Sequence, residues 1–361
     1  MPVAALEGNE TYSRIDRCSC VPISIVMKTS PCLALLGALL LAQPFLVAAT
    51  EERVDRRFTA PPASRLVVDV DFGGIEVTTN ATSEVTVEVL RKVTASSEKK
   101  EKEFLAERPL TLKQEGVTVS VQARKPGRVS SSWGWNRIKS SGLYRITVPV
   151  DCQVTLKTAG GHIHVTGVQT EVQATTSGGG LRFTEIRGAI HGRTAGGTIA
   201  VSDCVGGTEV DTSGGTIQVR GGSGSLQAAT AGGSIRVLQY GGPVEVETSG
   251  GSITLENIDG KITGSTSGGS VSAILLGPPL PGEVDLATSG GSVSVTVPAN
   301  LAFSLDAETS AGGVRSELPV EFTGKPKRDR LVGPVNGGGP TVRLRTSGGS
   351  ISVRKANATL R

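Results

Sequence analysis

Aromatic residues make up only 3% of this 361-residue chain, with seven Phe, three Tyr and two Trp. That scarcity argues against a wide core filled by rings and fits a narrow aliphatic one. Charge of one sign is missing as well: 37 Lys and Arg face 33 Asp and Glu, a net charge of +4. The balance is too even for a nucleic-acid surface. Histidine occurs only three times and cysteine five. No phosphate-binding loop, cofactor fingerprint or nucleophile–base motif stands out, so no cofactor is expected.

One apolar run is present, in "MKTSPCLALLGALLLAQPFLVAA" (27–49). It has a basic start, a short apolar core broken by Gln43 and Pro44, and the small residues Val47, Ala48 and Ala49. This is the form of a secretory signal peptide cleaved after Ala49, and it is too short and interrupted for a membrane anchor. Residues 1–26 lie before this signal without a structural pattern and read as a non-native extension from a mis-called start. The expected location is therefore exported: periplasmic, cell-surface or extracellular.

A threonine–glycine motif recurs through the rest. "TAGGTIAV" at Thr194, "TSGGTIQV" at Thr212, "TAGGSIRV" at Thr230 and "TSGGSITL" at Thr248 are near-copies. The leading threonines from Thr158 to Thr266 are each 18 residues apart; Thr288, Thr309 and Thr346 follow at looser intervals. A fixed short period marks a stacked-repeat architecture. With the threonine as position 1, position 6 holds Ile163, Leu181, Ile199, Ile217, Ile235, Ile253 and Val271, and position 8 holds mainly Val. Positions 15 and 17 are apolar or small in the same way, so each repeat carries two strands of period-two alternation. Glycine fills positions 3 and 4 and most of position 13, where corners that need φ > 0 are expected. The reading is an all-β fold: a parallel β-solenoid (β-helix) of about 18-residue coils at 151–355, with an N-terminal β-rich cap and first coils at 58–150. Within that cap "DFGGIEV" reads as a degenerate first copy, and "SSEKKEKEFLAE" (96–107) as a short helix ended by Pro109. About ten coils at about 4.8 Å would make a rod of about 50 Å.

Three cysteines, Cys18, Cys20 and Cys32, fall in the leader. Cys152 and Cys204 lie about three coils apart, about 14 Å, well beyond disulfide reach. Two free thiols are expected.

"YRITVPVDCQVTLKTAGGHIHV", the "TSGG" coils and the ending "VNGGGPTVRLRTSGGSISVRK" resemble the DUF4097 family, bacterial β-strand-repeat proteins that carry an adhesin label. The resemblance runs from Val67 to Lys355. It implies a surface or envelope binding role and brings no catalytic residues with it.

Neighbouring coils bring equal positions together, so a site should appear as a vertical cluster. Glu185 and Asp203 share position 10 in adjacent coils, with Arg187 and His191 in the first of them and Glu209 beside His191. Two close carboxylates can share a proton or hold a cation, so this is the enzyme-like alternative, a polysaccharide-cleaving lyase or hydrolase. The plainer reading is a solvated corner, with Arg193 beside Asp211 compensating in the same way. His162 and His164 share one side of a strand but lack a third ligand, so no metal site is expected. The segment "RKPGRVSSSWGWNRIKSSG" gathers Trp133 and Trp135 with Arg128 and Arg137. Exposed Trp beside basic side chains suits stacking on sugars or docking on an anionic surface. The expected function is thus a non-enzymatic exported binding module or envelope scaffold. Its expected partner is an envelope or surface component (glycan, anionic lipid or protein), with no nucleic acid and no transmembrane segment after signal cleavage.

Overall fold

The computed structural model describes residues 49–126, 138–277, 279–321 and 327–356. Its strands form two sheets of 14 strands each, nearly all parallel, together with one short helix. Each 18-residue coil gives one strand to each sheet. In the coil that starts at Thr194, Ile199–Ser202 joins the first sheet and Thr208–Thr212 the second. Its strands lie opposite those of the next coil in an 18-residue register, Ile199 facing Ile217 and Thr208 facing Leu226. The alternation read from sequence is the burial pattern: Ile199, Val201 and Val210 are buried between the sheets, while their neighbours look outward. A further inward column lies at position 11, where Val168, Ile186, Cys204, Tyr240 and Ile258 are buried. Cys152 and Cys204 are buried free thiols, and burial pushes both thiols up from their ordinary value.

The corner before the first sheet is held by the repeated threonine. Thr194 Oγ1 donates to the carbonyl of Gly179 in the preceding coil at 2.7 Å and accepts the N–H of Gly197 at 3.2 Å. The same pair of bonds recurs at Thr176, Thr212, Thr230, Thr248 and Thr266. The second glycine of each corner is forced by contact. A Cβ on Gly215 would fall inside the carbonyl oxygen of Gly197 in the coil below, yet its φ is not positive. The expected positive φ is instead met at position 13, where Gly206, Gly224 and Gly242 have φ of 132°, 120° and 133°. It also occurs at position 10, where Gly167, Glu185, Asp203, Gly221, Gln239 and Asn257 all have φ between 54° and 80°. The threonine hydroxyls thus link coils through backbone rather than through one another. Serine hydroxyls at position 5 add further links, with Ser252 N–H donating to Ser234 Oγ at 3.2 Å and Ser270 N–H to Ser252 Oγ at 3.3 Å.

At both ends the spatial order departs from the chain order. The N-terminal elements are β1 (Thr50–Thr59), β2 (Arg65–Val70), β3 (Gly74–Asn80), β4 (Glu84–Thr94), α1 (Glu98–Ala106), β5 (Thr111–Glu115), β6 (Thr118–Ala123), β7 (Lys139–Pro149), β8 (Gln153–Thr158) and β9 (Ile163–Thr166). β2 and β3 form the degenerate copy. Val70 takes the place of a leading threonine opposite Thr158, and Ile75 faces Ile163. This copy stacks directly on β8 and β9, while β6 and β7, later in sequence, lie outside it. The last motif copy is inserted in a similar way. Thr341–Thr346 pairs with Val284–Thr288 on one side and Phe303–Thr309 on the other. Thr346 donates to Gly291, and Thr309 donates to Gly349, both at 2.7 Å. Charge favours this order. Stacked in sequence, Asp285 would face Asp306; the inserted strand brings Arg343 to Asp285 at 3.1 Å and Arg345 to Asp306 at 2.6 Å.

Helix α1 begins at Ser97, whose side chain accepts the N–H of Lys100, as a serine N-cap does. Its Glu101 is only 1% exposed and bridges two strand ends, accepting Ala95 N–H at 2.8 Å and Thr50 N–H at 3.0 Å. Nearby, Arg91 is fully buried, bonds Glu52 through Nε at 2.8 Å, and reaches the carbonyl of Arg108 at 2.7 Å.

Candidate functional site

The four residues of the enzyme-like constellation separate onto two surfaces. Glu185 and Asp203 occupy the position-10 corner in left-handed backbone, with exposed side chains. Such a conformation suits Gly, Asn and Asp, and Glu adopts it at a steric cost. Arg187 is an exposed corner residue two positions on, bridged by its backbone to Val205. His191 lies on the outward face of the second sheet, in the strand Ile190–Thr194. Among the described residues no hydrogen bond or ion pair joins Glu185, Asp203, Arg187 and His191.

His191 instead belongs to a row that runs from coil to coil. Its Nδ1 meets Glu209 at 3.2 Å; Arg193 binds Glu209 at 2.9 Å and Asp211 at 3.2 Å. Hydrogen bonds from Arg193, then from His191, hold the Glu209 carboxyl below the ordinary carboxylate range. The row starts further down, where Arg65 donates to Gln153 at 3.0 Å and Gln153 to Glu171 at 2.8 Å. Glu171 is lowered by Gln173 first and then by Gln153. The sequence reading named His191, Glu209, Arg193 and Asp211 but missed Arg65, Gln153 and Glu171. Arg65 belongs to the degenerate copy, whose register only the stacking reveals. In this row His191, Arg193, Glu209 and Asp211 match in charge across an exposed face, while Arg65 and Glu171 are held by neutral glutamines. It can attract polar groups, but it contains no enclosed acid–base pair.

His162 and His164 are both taken up by local bonds. His162 Nδ1 accepts the N–H of Gly180 at 2.9 Å, and His164 Nε2 lies 3.2 Å from Thr166 Oγ1. Desolvation, then the nearby Arg182, lowers His164. Among the described residues, no three His, Cys, Asp or Glu side chains converge as a metal site.

Trp133, Trp135, Arg128 and Arg137 lie outside the described residues. The flank before them is firmly held. Arg124 binds Asp69 at 2.9 Å and Asp71 at 3.4 Å, and Lys125 binds Glu107 at 3.0 Å. Beneath them Arg108 meets Asp71 at 3.1 Å and sits 4.0 Å over the Phe104 ring, which packs against Phe72. Two of the basic charges read from this segment are therefore matched by carboxylates.

The threonine corners line a shallow groove along one edge of the second sheet. Glu247, Ser265, Ser267, Ser289, Glu308 and Arg345 are among its walls.

A family model described as Toastrack DUF4097 matches residues 63–354, and the chain belongs to that family. Solved structures to which the chain shows similarity include a proposed cell adhesion protein from Clostridium sporogenes. It is 11% identical with a TM-score of 0.21, over 86% of this chain and 100% of that one. A proposed adhesin from Bacteroides fragilis is 10% identical with a TM-score of 0.30, over 84% and 97%. A proposed lipid binding protein from Parabacteroides distasonis is 11% identical with a TM-score of 0.29, over the same shares. No curated protein matches the chain.

Proposed function

We propose that this member of the Toastrack DUF4097 family is an exported, non-enzymatic binding module of the cell envelope, adhesin-like or scaffolding. One observation carries the reading: polar side chains cover the outward faces coil after coil, and charges pair across neighbouring coils where they meet, as His191 with Glu209, Arg193 with Asp211 and Arg343 with Asp285. Faces of this kind suit an extended ligand held by many weak contacts. Catalysis needs a nucleophile or acid–base pair within hydrogen-bond reach in one cleft, and the carboxylates read as that pair stand on an exposed corner. Trp133 and Trp135, with Arg128 and Arg137, are the proposed ligand contacts, stacking on a sugar face or docking on an anionic surface.

The test measures binding of the purified exported chain to cell-wall glycans, lipid vesicles and whole cells. A Trp133→Ala/Trp135→Ala variant serves as the control. Binding that drops in the variant supports the reading; equal, background-level signal from both chains on all three targets counts against it. A panel of polysaccharides assayed in parallel addresses cleavage. Turnover by the wild type that vanishes in Glu185→Gln would replace this proposal with an enzyme.

A further inference from the structure

The two sheets have four outer edges, and three of them are short or interrupted. β5 has five residues and Val314–Ser316 has three, while Arg330–Val335 contains Pro334. These are the usual ways of closing an edge to pairing. The fourth edge, β1, is different. It runs for ten residues in unbroken antiparallel register with β4, without proline or bulge. Among the described residues no strand pairs with its other side.

Six of the ten β1 residues are charged, and their order is a palindrome of opposite signs about Val54: Glu51, Glu52, Arg53, Val54, Asp55, Arg56, Arg57. Suppose a second β1 runs antiparallel with Val54 opposite Val54. Glu51 then faces Arg57, Glu52 faces Arg56 and Arg53 faces Asp55, each twice by symmetry. Moving the axis by one residue destroys the match, since Arg53 or Asp55 then faces its own copy. A parallel pairing sets every charge against itself. Directly opposed like charges destabilise a strand pair and opposite charges stabilise it.

The matching residues that count most look outward. Arg53 and Asp55 have side chains 66% and 59% exposed, and Glu51 is 54% exposed. On the inward side Glu52 is held by the buried Arg91. The outward pairs that Glu51 makes with Lys92 at 2.8 Å and Arg53 with Asp55 at 3.8 Å are exposed and open to exchange, so the specificity falls to Glu51, Arg53, Asp55 and Arg57.

We propose that β1 is a self-association edge. Two copies of this chain pair their β1 strands antiparallel about Val54, in an isologous dimer that makes one continuous sheet across the axis. The protein would then present two stacks with their far ends pointing apart.

Sedimentation velocity and light-scattering mass on the chain expressed with its own leader test this, using a charge swap. The wild type is expected to show a dimer mass. Glu51→Arg alone and Arg57→Glu alone are expected to give monomers with unchanged circular dichroism, because both side chains are exposed, and the first melts slightly lower because it also loses its pair with Lys92. The double swap Glu51→Arg/Arg57→Glu restores opposite charges across the axis and is expected to restore the dimer. Wild type mixed with the double swap should form no mixed dimer, since like charges then meet. A monomeric wild type, or single variants that stay dimeric, would overturn the proposal. So would a double swap that remains monomeric.

Discussion

Thr212 Oγ1 lies 3.1 Å from the carbonyl oxygen of Gly197 in the coil before it and 3.2 Å from the N–H of Gly215 in its own corner. One buried hydroxyl thus satisfies an acceptor and a donor on two coils. Thr212→Val keeps the shape and removes both bonds. Leaving buried backbone groups unpaired costs about 1–3 kcal/mol. A lower melting temperature with unchanged strand content by circular dichroism is the expected result, and an unchanged melt would contradict the role given to the hydroxyl.

The two corner glycines should respond very differently. A Cβ on Gly214 meets only Ala195 O at 3.7 Å, ordinary contact, and the equivalent place in the Thr309 coil already holds Ala311. Gly214→Ala should cost within about 0.5 kcal/mol, as a surface change does. Gly215→Ala drives a methyl into the neighbouring coil and should cost about 1–3 kcal/mol or more. Ser213→Ala should be as mild as Gly214→Ala, because Ala195 and Ala231 occupy its column. Paired thermal melts decide; a Gly214→Ala protein less stable than Gly215→Ala reverses the assignment.

Glu101 gives the fold an acid-sensitive joint. Its carboxyl is held below the ordinary range by the Ala95 N–H first and by the Thr50 hydroxyl next, against the opposing effect of burial. A group lowered on folding stabilises above its unfolded value, about 4.3 for Glu, and loses that contribution as pH falls through the lower folded value. Urea midpoints for wild type and Glu101→Gln should therefore differ at neutral pH and converge on acidification. A gap that stays constant from neutral to strongly acidic pH would show that ionisation of Glu101 is not involved.

Glu185 holds φ at 55° in a column otherwise occupied by Gly167, Asp203, Gly221, Gln239 and Asn257. Left-handed backbone costs a residue with a Cβ about 1–2 kcal/mol, and glycine avoids it. After the entropy that glycine loses on folding, about 0.5–1 kcal/mol, Glu185→Gly should be neutral to slightly stabilising. A clear drop in melting temperature would mean that the carboxylate has a partner or a ligand.

Much of the coil was legible in sequence because every repeat must solve the same packing problem. The columns at positions 6, 8, 15 and 17 are buried where the period-two pattern put them. The reasons for the glycines were legible only in part, since a close approach, as at Gly215, and a positive φ, as at Gly206, both select glycine. Position 10 illustrates the difficulty: Glu185 and Gln239 adopt left-handed backbone without being residues that favour it. Stacking order was hidden for a related reason. Each coil offers the same hydrogen-bonding surface above and below, so Thr346 fits Thr288 and Thr309 equally well. The clue was in the charges, with Arg343 and Arg345 matching Asp285 and Asp306. The candidate site was legible as single columns, but which columns touch depends on the corner that separates Glu185 from His191.

The inserted strand near the C-terminal end also changes how the protein bears load. A solenoid stacked in chain order peels, one coil at a time, because tension on its last strand breaks the bonds of a single edge. Here Thr341–Thr346 and Ile351–Lys355 are each clasped between two neighbours. Tension applied beyond Lys355 must slide each strand against two ladders together. Failure is by shear, and the stack resists being unravelled from the end at which it is pulled.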